Sequence, residues 1–255
     1  APLAGALEYE NEGGDYTTLV LLQGFVANQG DAWSFTLDYL KRFLTDCVEQ
    51  PNVVREAGEK AHAVYRLFAG TLGQRTGELH RALAQTTGDP AFDPEPITAT
   101  DMAQWSERIR TEVEITFERL EQARGQLSEP VRSLTEQVLK LRGVISARMA
   151  PVETLAPQAM KTRYHGDYHL GQVLVARDDV ILIDFEGEPS RSLAERRAKH
   201  SPLRDVVGML RSFDYAAHAA LRQATADGTG DRATFLPQVS DWEQKTRTAF
   251  LEGYV

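Results

Sequence analysis

The reading of the fold turns on Tyr164-His165-Gly166-Asp167-Tyr168-His169-Leu170-Gly171-Gln172, followed by Val180-Ile181-Leu182-Ile183-Asp184-Phe185-Glu186. The first stretch sets an acid, Asp167, five residues ahead of an amide, Gln172. The second ends an apolar run on another acid, Asp184. Val173-Leu174-Val175 and Val180-Ile181-Leu182-Ile183 read as two strands of a hairpin, with Arg177-Asp178-Asp179 as its turn. Asp167 and Gln172 then sit just before the first strand and Asp184 leaves the second. Three oxygen-bearing side chains can converge at one mouth.

That set suits phosphoryl transfer. The reaction needs a carboxylate beside the attacking hydroxyl and hard oxygen ligands for Mg2+ on the nucleotide phosphates. Asp167 fits the first task, Gln172 and Asp184 the second. The order resembles the protein-kinase pattern, His-x-Asp-x-x-x-x-Asn followed by Asp-Phe-Gly. Glutamine in place of asparagine keeps the amide oxygen and adds a methylene. Glu186 stands where the pattern has glycine. A metal-hydrolase reading draws on the same residues, because His165, Asp167 and His169 could form a ligand cluster. The remaining histidines, His62, His80, His200 and His218, lie in no Asp-x-His or Asn-His context, whereas a two-metal site needs further matched motifs. His165 is expected to be structural.

The bounds agree with a globular enzyme. At 255 residues the chain can bury a substantial core. Lys and Arg total 28 against 37 acids, a net charge of −9, which argues against broad nucleic-acid or anionic-membrane binding. Cys47 is the only cysteine, so no internal disulfide can form, in keeping with a reducing cytoplasm. No apolar run is long enough to span a bilayer.

Along the chain, residues 7–9 and 18–23 read as strands joined by a polar loop, residues 10–15. Residues 24–31 form a connector. Residues 32–47 look helical, with Trp33, Leu37, Leu40, Phe43 and Leu44 on one face. A second helical region runs over 53–85 and is expected to break near Gly70–Gly73. Residues 87–96, with three prolines and Gly88, read as a loop and a subdomain seam near 87–100. Helices follow over 102–126 and 129–148, the second capped by Ser128. Pro151 and Pro157 frame a linker into the central motif. Beyond Asp184 come Arg191, Arg196, Arg197, Lys199 and Arg204, which can steer phosphate, pair with Glu186 and Glu188, or face solvent. Residues 205–221 read as a helix, as do 241–253. Asp205 can cap its helix or bond the backbone of the Asp167 loop, and Tyr215 can face substrate or core.

Four stretches resemble the bacterial maltokinases, a branch of the aminoglycoside-phosphotransferase-like kinases. They are Leu22-Gln23-Gly24-Phe25-Val26-Ala27-Asn28-Gln29-Gly30-Asp31-Ala32-Trp33, His165 to Leu174, Ile183-Asp184-Phe185-Glu186-Gly187-Glu188-Pro189, and Ser201 to Phe213. The resemblance implies an α+β, mostly helical fold: a protein-kinase-like C-lobe over residues 32–255 with a catalytic-loop β-hairpin. Residues 1–31 would be the last N-lobe strands and the hinge. It also implies ATP- and Mg2+-dependent phosphorylation of maltose to maltose 1-phosphate in the cytoplasm, with a fused or associated trehalose synthase as partner. By position Asp167 is the catalytic base and Gln172 and Asp184 hold metal. Gln23, Gly24, Phe25 and Val26 offer backbone groups to adenine, Glu186 and Tyr215 lie toward the sugar, and His165 and Asp205 support the loop.

The pattern has a departure. Family members carry a small β-lobe with a phosphate-binding lysine, and here no lysine precedes Lys41. The chain therefore reads as a fragment of hinge plus large lobe, with weak nucleotide affinity and little or no turnover expected of it alone. Two alternatives stay open: a non-catalytic kinase-like module supporting trehalose synthase, and a kinase for another small alcohol or an aminoglycoside.

Overall fold

A computed structural model describes residues 2–14, 16–149 and 157–255. The chain is mostly helical and carries two-stranded antiparallel sheets, the expected α+β, kinase-like architecture. It divides into two units. Unit 1 comprises Ala1–Leu83, Tyr164–Ala198 and Pro202–Val255, and unit 2 comprises Ala84–Arg163 and Lys199–Ser201.

In unit 1, β1 (Leu3–Glu10) and β2 (Tyr16–Gln23) form a hairpin whose apolar side chains, Leu7, Leu19 and Leu22 among them, stay exposed. Both strands are longer than the apolar pattern suggests. The core lies among α1 (Ala32–Glu49), α2 (Pro51–Ala57), α3 (Ala63–Leu83), the hairpin β5 (Val173–Ala176) and β6 (Asp179–Leu182), α8 (Leu203–Ala226) and α9 (Arg232–Tyr254), while the short α7 (Leu193–Arg197) buries no residue. Asp31 caps α1 by accepting from Ser34 N at 2.8 Å, which starts the helix where the connector ends. Leu40 and Leu44 of α1 are fully buried. Trp33 and Leu37 pack against the core only partly covered.

The expected break at Gly70–Gly73 does not occur. The chain breaks earlier, at Gly58 with φ +47, and α3 runs unbroken through both glycines. They are there for packing. A Cβ on Gly73 would lie 2.0 Å from the Phe250 carbonyl oxygen, and one on Gly253 would lie 2.1 Å from that of Gly70. The missing side chains let the backbones of α3 and α9 meet. α9 also begins nine residues before the expected Asp241, at Arg232, capped by Asp231. It carries Pro237 inside, which hides it from a periodicity reading. α8 likewise outruns its expected span of 205–221 at both ends.

Unit 2 holds β3 (Glu95–Pro96), α4 (Ala99–Ala123), α5 (Glu129–Leu139), α6 (Arg142–Met149) and β4 (Met160–Lys161), with β3 paired to β4. Thr98 and Asp101 close a capping box on α4. The single helix expected over 129–148 is two helices, split at Lys140 and Leu141. The split points Arg142 at α4, where it pairs with Glu114 and lies 5.7 Å over the Phe117 ring. Ser128 sits at the start of α5 as expected, but its side chain makes no capping bond; Pro130 in the first turn sets the entry. Of the expected linker, Pro151 lies outside the described residues.

Candidate active site

The hairpin β5–β6 supplies the frame. Val173, Val175 and Val180 point into the core while alternate residues stay partly covered. The turn is one residue tighter than expected: Arg177 and Asp178 alone connect the strands, Arg177 at φ +58. Asp179 opens β6, and its carboxylate takes both Nε and a terminal nitrogen of Arg75 on α3 at 2.8 Å. The connector joins on the other side of β5, with Gln29 N on Val175 O at 2.8 Å and Val175 N on Gly30 O at 3.0 Å.

The loop before β5 is fastened at several points. His165 is buried, and its Nε2 donates to Ile183 O at 2.8 Å, tying the residue two before Asp167 to the residue before Asp184. Its Nδ1 faces Asp167 N at 3.4 Å, so both ring nitrogens face backbone atoms rather than a metal. The Phe185 ring lies 4.9 Å from the imidazole. A Cβ on Gly166 (φ +88) would lie 3.2 Å from Gly187 Cα, so the two loops touch where neither has a side chain. Tyr168 is buried with its hydroxyl 2.8 Å from Thr76 Oγ1, and burial pushes its ionisation well above the usual phenol range. Leu170 N donates to Ser212 Oγ on α8.

Asp205 settles between its two expected roles. It is 2 % exposed, and its oxygens accept from His165 N at 2.7 Å and Gly166 N at 3.0 Å. It makes no N-cap: Pro202 occupies that position, without a side-chain capping bond. A third bond reaches Asp205 from His80 Nε2 at 3.1 Å.

These fastenings bring Asp167, Gln172 and Asp184 to one end of the hairpin. Gln172 O accepts from Ile183 N at 3.0 Å, and Gln172 Nε2 donates to Asp184 Oδ2 at 3.0 Å. Asp184 has φ +66, a conformation uncommon for a residue with a side chain and concentrated at functional sites. Asp167 is partly exposed, its Oδ2 3.9 Å from His169 Nε2. A carboxylate beside an amide that can turn its oxygen to the same point is a donor set that fits Mg2+, which binds through one or two protein oxygens and keeps water and phosphate as its other ligands.

The other expected site residues lie in two groups. Glu186 follows directly after Phe185, exposed, with its carboxylate 3.8 Å and its carbonyl 3.2 Å from the Arg196 guanidinium. Of the basic run, then, Arg196 pairs with Glu186, whereas in unit 2 Lys199 pairs with Glu95 and bonds Pro90 O. Gln23 ends β2 opposite Leu3, Gly24 N bonds Pro2 O at 2.9 Å, Phe25 is almost fully exposed, and Val26 O accepts from Asn28. Tyr215 is exposed on α8, its hydroxyl 2.6 Å from Arg211. Neither Tyr215 nor residues 23–26 share a hydrogen bond with the Asp167 loop among the described residues. His80 and Ser212 escape a reading of the sequence, since no local spacing links them to the loop, whereas Arg196 was one of the basic residues expected to be able to pair with Glu186. A histidine on the apolar face of a helix, as His80 is, was the one available signal.

A helical lobe with an acid-bearing loop and a metal-suited hairpin end is the architecture of small-molecule kinases. A model of the phosphotransferase enzyme family matches residues 42–243, and the chain belongs to that family. Two curated relatives named glucosamine kinase share 26% identity with it. One is from Streptacidiphilus jiangxiensis (244 residues, 95% of this chain, 47% of the relative) and one from Mycolicibacterium smegmatis (239 residues, 93% and 50%). A solved glucosamine kinase structure superposes with a TM-score of 0.69 at 25% identity, covering 98% of this chain and 52% of its own. A second, bound to glucosamine, ADP and inorganic phosphate, gives 0.67 at 24% identity, covering 94% and 49%, and shares the fold. The chain spans about half the length of the relatives it matches. Their names carry glucosamine, not maltose.

Proposed function

We propose that the protein carrying this chain transfers the γ-phosphoryl group of ATP to a hydroxyl of a small sugar. Residues 1–31 would form the hinge side and residues 32–255 the acceptor-binding large lobe. The reading rests above all on the His165–Ile183 bond, which sets the Asp167 loop beside the hairpin end that bears Gln172 and Asp184. Asp167 orients the acceptor hydroxyl and takes its proton. Gln172 and Asp184 would hold Mg2+, which when bound offsets the charge of the nucleotide phosphates. The backbone of Gln23, Gly24, Phe25 and Val26 receives adenine, and His165 and Asp205 keep the loop in place. Such a reaction belongs in the cytoplasm, where ATP is available.

For the acceptor, glucosamine is the first choice. The relatives are named for it, and its ammonium suits the carboxylates of Glu186 and Glu188 beyond Asp184. Maltose is the second, favoured by the four stretches quoted above. A trehalose synthase partner goes with maltose and falls with it. Tyr215 is assigned to the acceptor side under either choice.

The test is ADP release by the full-length protein against glucosamine, maltose, glucose and an aminoglycoside, in the wild type and in Asp167→Asn. Release dependent on glucosamine is expected, with a loss of about 10²–10⁴-fold in Asp167→Asn and an unchanged circular dichroism spectrum. Preference for maltose moves the acceptor to the second choice. No acceptor-dependent release with any compound refutes the kinase reading, and wild-type turnover in Asp167→Asn removes that residue from the base role.

A further inference from the structure

At the turn end of the β5–β6 hairpin, away from Asp167, the surface opens into a cavity of about 710 Å³. That volume falls within the roughly 300–1,000 Å³ of sites for small organic molecules. The cavity lies wholly within unit 1, between the first turns of α1, the first half of α3 and the turn of the hairpin. Phosphoryl transfer as described above makes no use of it, since neither Asp167, Gln172 and Asp184 nor residues 23–26 line it.

Its inner wall is apolar and aromatic. Phe35 of α1 and Phe68 of α3 line it with ring centroids 5.0 Å apart and planes tilted by 49°, and Val175 and Val180 close the base. Around them stand two acids and two guanidinium groups: Asp38 and Arg42 on α1, Arg177 and Asp178 in the hairpin turn. Arg75 takes up the neighbouring Asp179, but those four make no hydrogen bond or ion pair among the described residues. Asp38 and Arg42 lie one helical turn apart and do not bridge. The four charges cancel, so the cavity exerts no net pull on an anion or a cation. It offers instead acceptors and donors side by side, since carboxylates only accept and guanidinium groups only donate. A matching ligand donates and accepts at neighbouring atoms, carries no charge and turns an apolar face to the rings. A sugar meets all three conditions. Each hydroxyl both donates and accepts, and the C–H bonds of one pyranose face suit the negative face of an aromatic ring.

We propose that this cavity is a second carbohydrate site, for a neutral mono- or oligosaccharide, separate from the site of phosphoryl transfer. Phe35 and Phe68 receive the apolar face of the sugar. Asp38 and Asp178 accept from its hydroxyls, and Arg42 and Arg177 donate to them. Leu67, 74 % exposed at the rim, gives an apolar ledge for a second sugar ring.

The experiment is a methyl NMR titration of the full-length protein with glucose, maltose and maltotetraose, without nucleotide. The methyl groups of Leu67, Val175 and Val180 report the cavity. Those of Val173 and Leu182, where the strands meet the Asp167 end, report the other site. Saturable shifts in the first set are expected with maltose and maltotetraose. Asp38→Ala and Arg42→Ala, both exposed on α1, should each weaken that binding about 2–10-fold, the worth of a hydrogen bond. Phe68→Leu, which keeps most of the bulk and loses the ring, should do the same. Glucosamine and glucose 6-phosphate, which add a positive and a negative charge to the same ring, should bind in the cavity no more tightly than glucose. No saturable shift at Leu67, Val175 and Val180 overturns the proposal, as does an affinity there that Asp38→Ala and Arg42→Ala leave unchanged. A clear preference of the cavity for either charged sugar overturns the assignment to a neutral one. Should a variant not fold, Arg177→Gly carries the test, because glycine is at ease at the φ of +58 found there; binding as tight as in wild type then overturns the proposal. With no nucleotide present, the kinase reading and this site stand or fall separately.

Discussion

Replacing Asp205 measures how much of the molecule's stability is invested in the Asp167 loop. Asp205→Ala strands three donors: His80 Nε2, His165 N and Gly166 N. A buried donor left without an acceptor costs about 1–3 kcal/mol. Gly166 is only partly buried and water can repay some of its loss, so the sum comes to about 3–6 kcal/mol. That is a large share of the roughly 5–15 kcal/mol that holds a domain together. Asp205→Asn keeps one oxygen but turns an NH2 toward one of the donors, for a loss of about 2–4 kcal/mol. If Asp205 merely capped α8, the Ala variant would lose about 0.5–2 kcal/mol and Asn, itself a good cap, almost nothing. Urea unfolding followed by far-ultraviolet circular dichroism separates the two accounts. Hydrogen exchange at His165 and Gly166 should quicken in both variants beyond the global change. A loss below about 1 kcal/mol in Asp205→Ala, with exchange at those amides unaltered, would refute the reasoning.

Further outcomes follow from the packing, the buried histidine and the metal-suited pair. Gly73→Ala meets the Phe250 carbonyl at 2.0 Å, backbone that cannot swing aside, and should destabilise by about 3 kcal/mol. Gly143→Ala, in α6 with nothing within 4 Å of its new Cβ, should stabilise by about 0.5–1 kcal/mol; the same unfolding assay fails the argument if the two variants do not differ in sign. His62 is buried beside Phe43 with Tyr39 on its Nδ1, and desolvation lowers its pKa to about 4, against a smaller opposing pull from Asp241. A lowered histidine pKa means the unfolded chain takes up the proton first. Stability contributed by neutral His62 is therefore full above its ordinary value near 6.5 and declines as pH falls toward about 4, by up to roughly 3 kcal/mol. His62→Gln should flatten that part of the curve, and an unchanged slope between those pH values would discard the assignment. Asp184→Asn should weaken Mn2+ binding, read as paramagnetic broadening at Gln172 and Asp184, by at least about tenfold; equal broadening in wild type and variant would remove Asp184 from the metal site.

The elements that sequence reveals most clearly are those whose start is chemical and whose face is continuous. α1 has both: Asp31 marks its first turn, and Leu40, Phe43 and Leu44 recur on the side that meets the core. Misreadings come where a residue's local preference is overruled by a neighbour distant in sequence. Gly70 and Gly73 look like breakers until Phe250 and Gly253 come to lie against them. Pro237 looks like a boundary, yet the turns before it are held by the Asp231 cap. Lys140 and Leu141 carry no breaking signal at all, and the turn there accompanies the pairing of Arg142 with Glu114.

The site divides along the same line. The placement of Asp167, Gln172 and Asp184 was legible because Asp167 and Gln172 lie just before β5 and Asp184 just after β6, and strand periodicity carries both flanks to one end of the hairpin. What holds them there was legible only in part: His165 and Asp205 were expected as supports, whereas a hydrogen bond across 125 residues, such as His80 to Asp205, leaves no trace in spacing. Asp205 illustrates the division. From its position in the first turn of α8 a cap was as good a reading as a brace, and only the presence of two backbone donors and a buried imidazole around it decides for the brace. A hydroxyl and a phosphorus atom must approach within a few tenths of an ångström of the right geometry. On the kinase reading proposed above, residues outside the motif, Asp205 among them, would set that precision. A protein with the same motif on a looser frame would then keep the residues of a kinase and lose the rate, and for that reason the Asp205 variants test the functional reading more sharply than removal of Asp167.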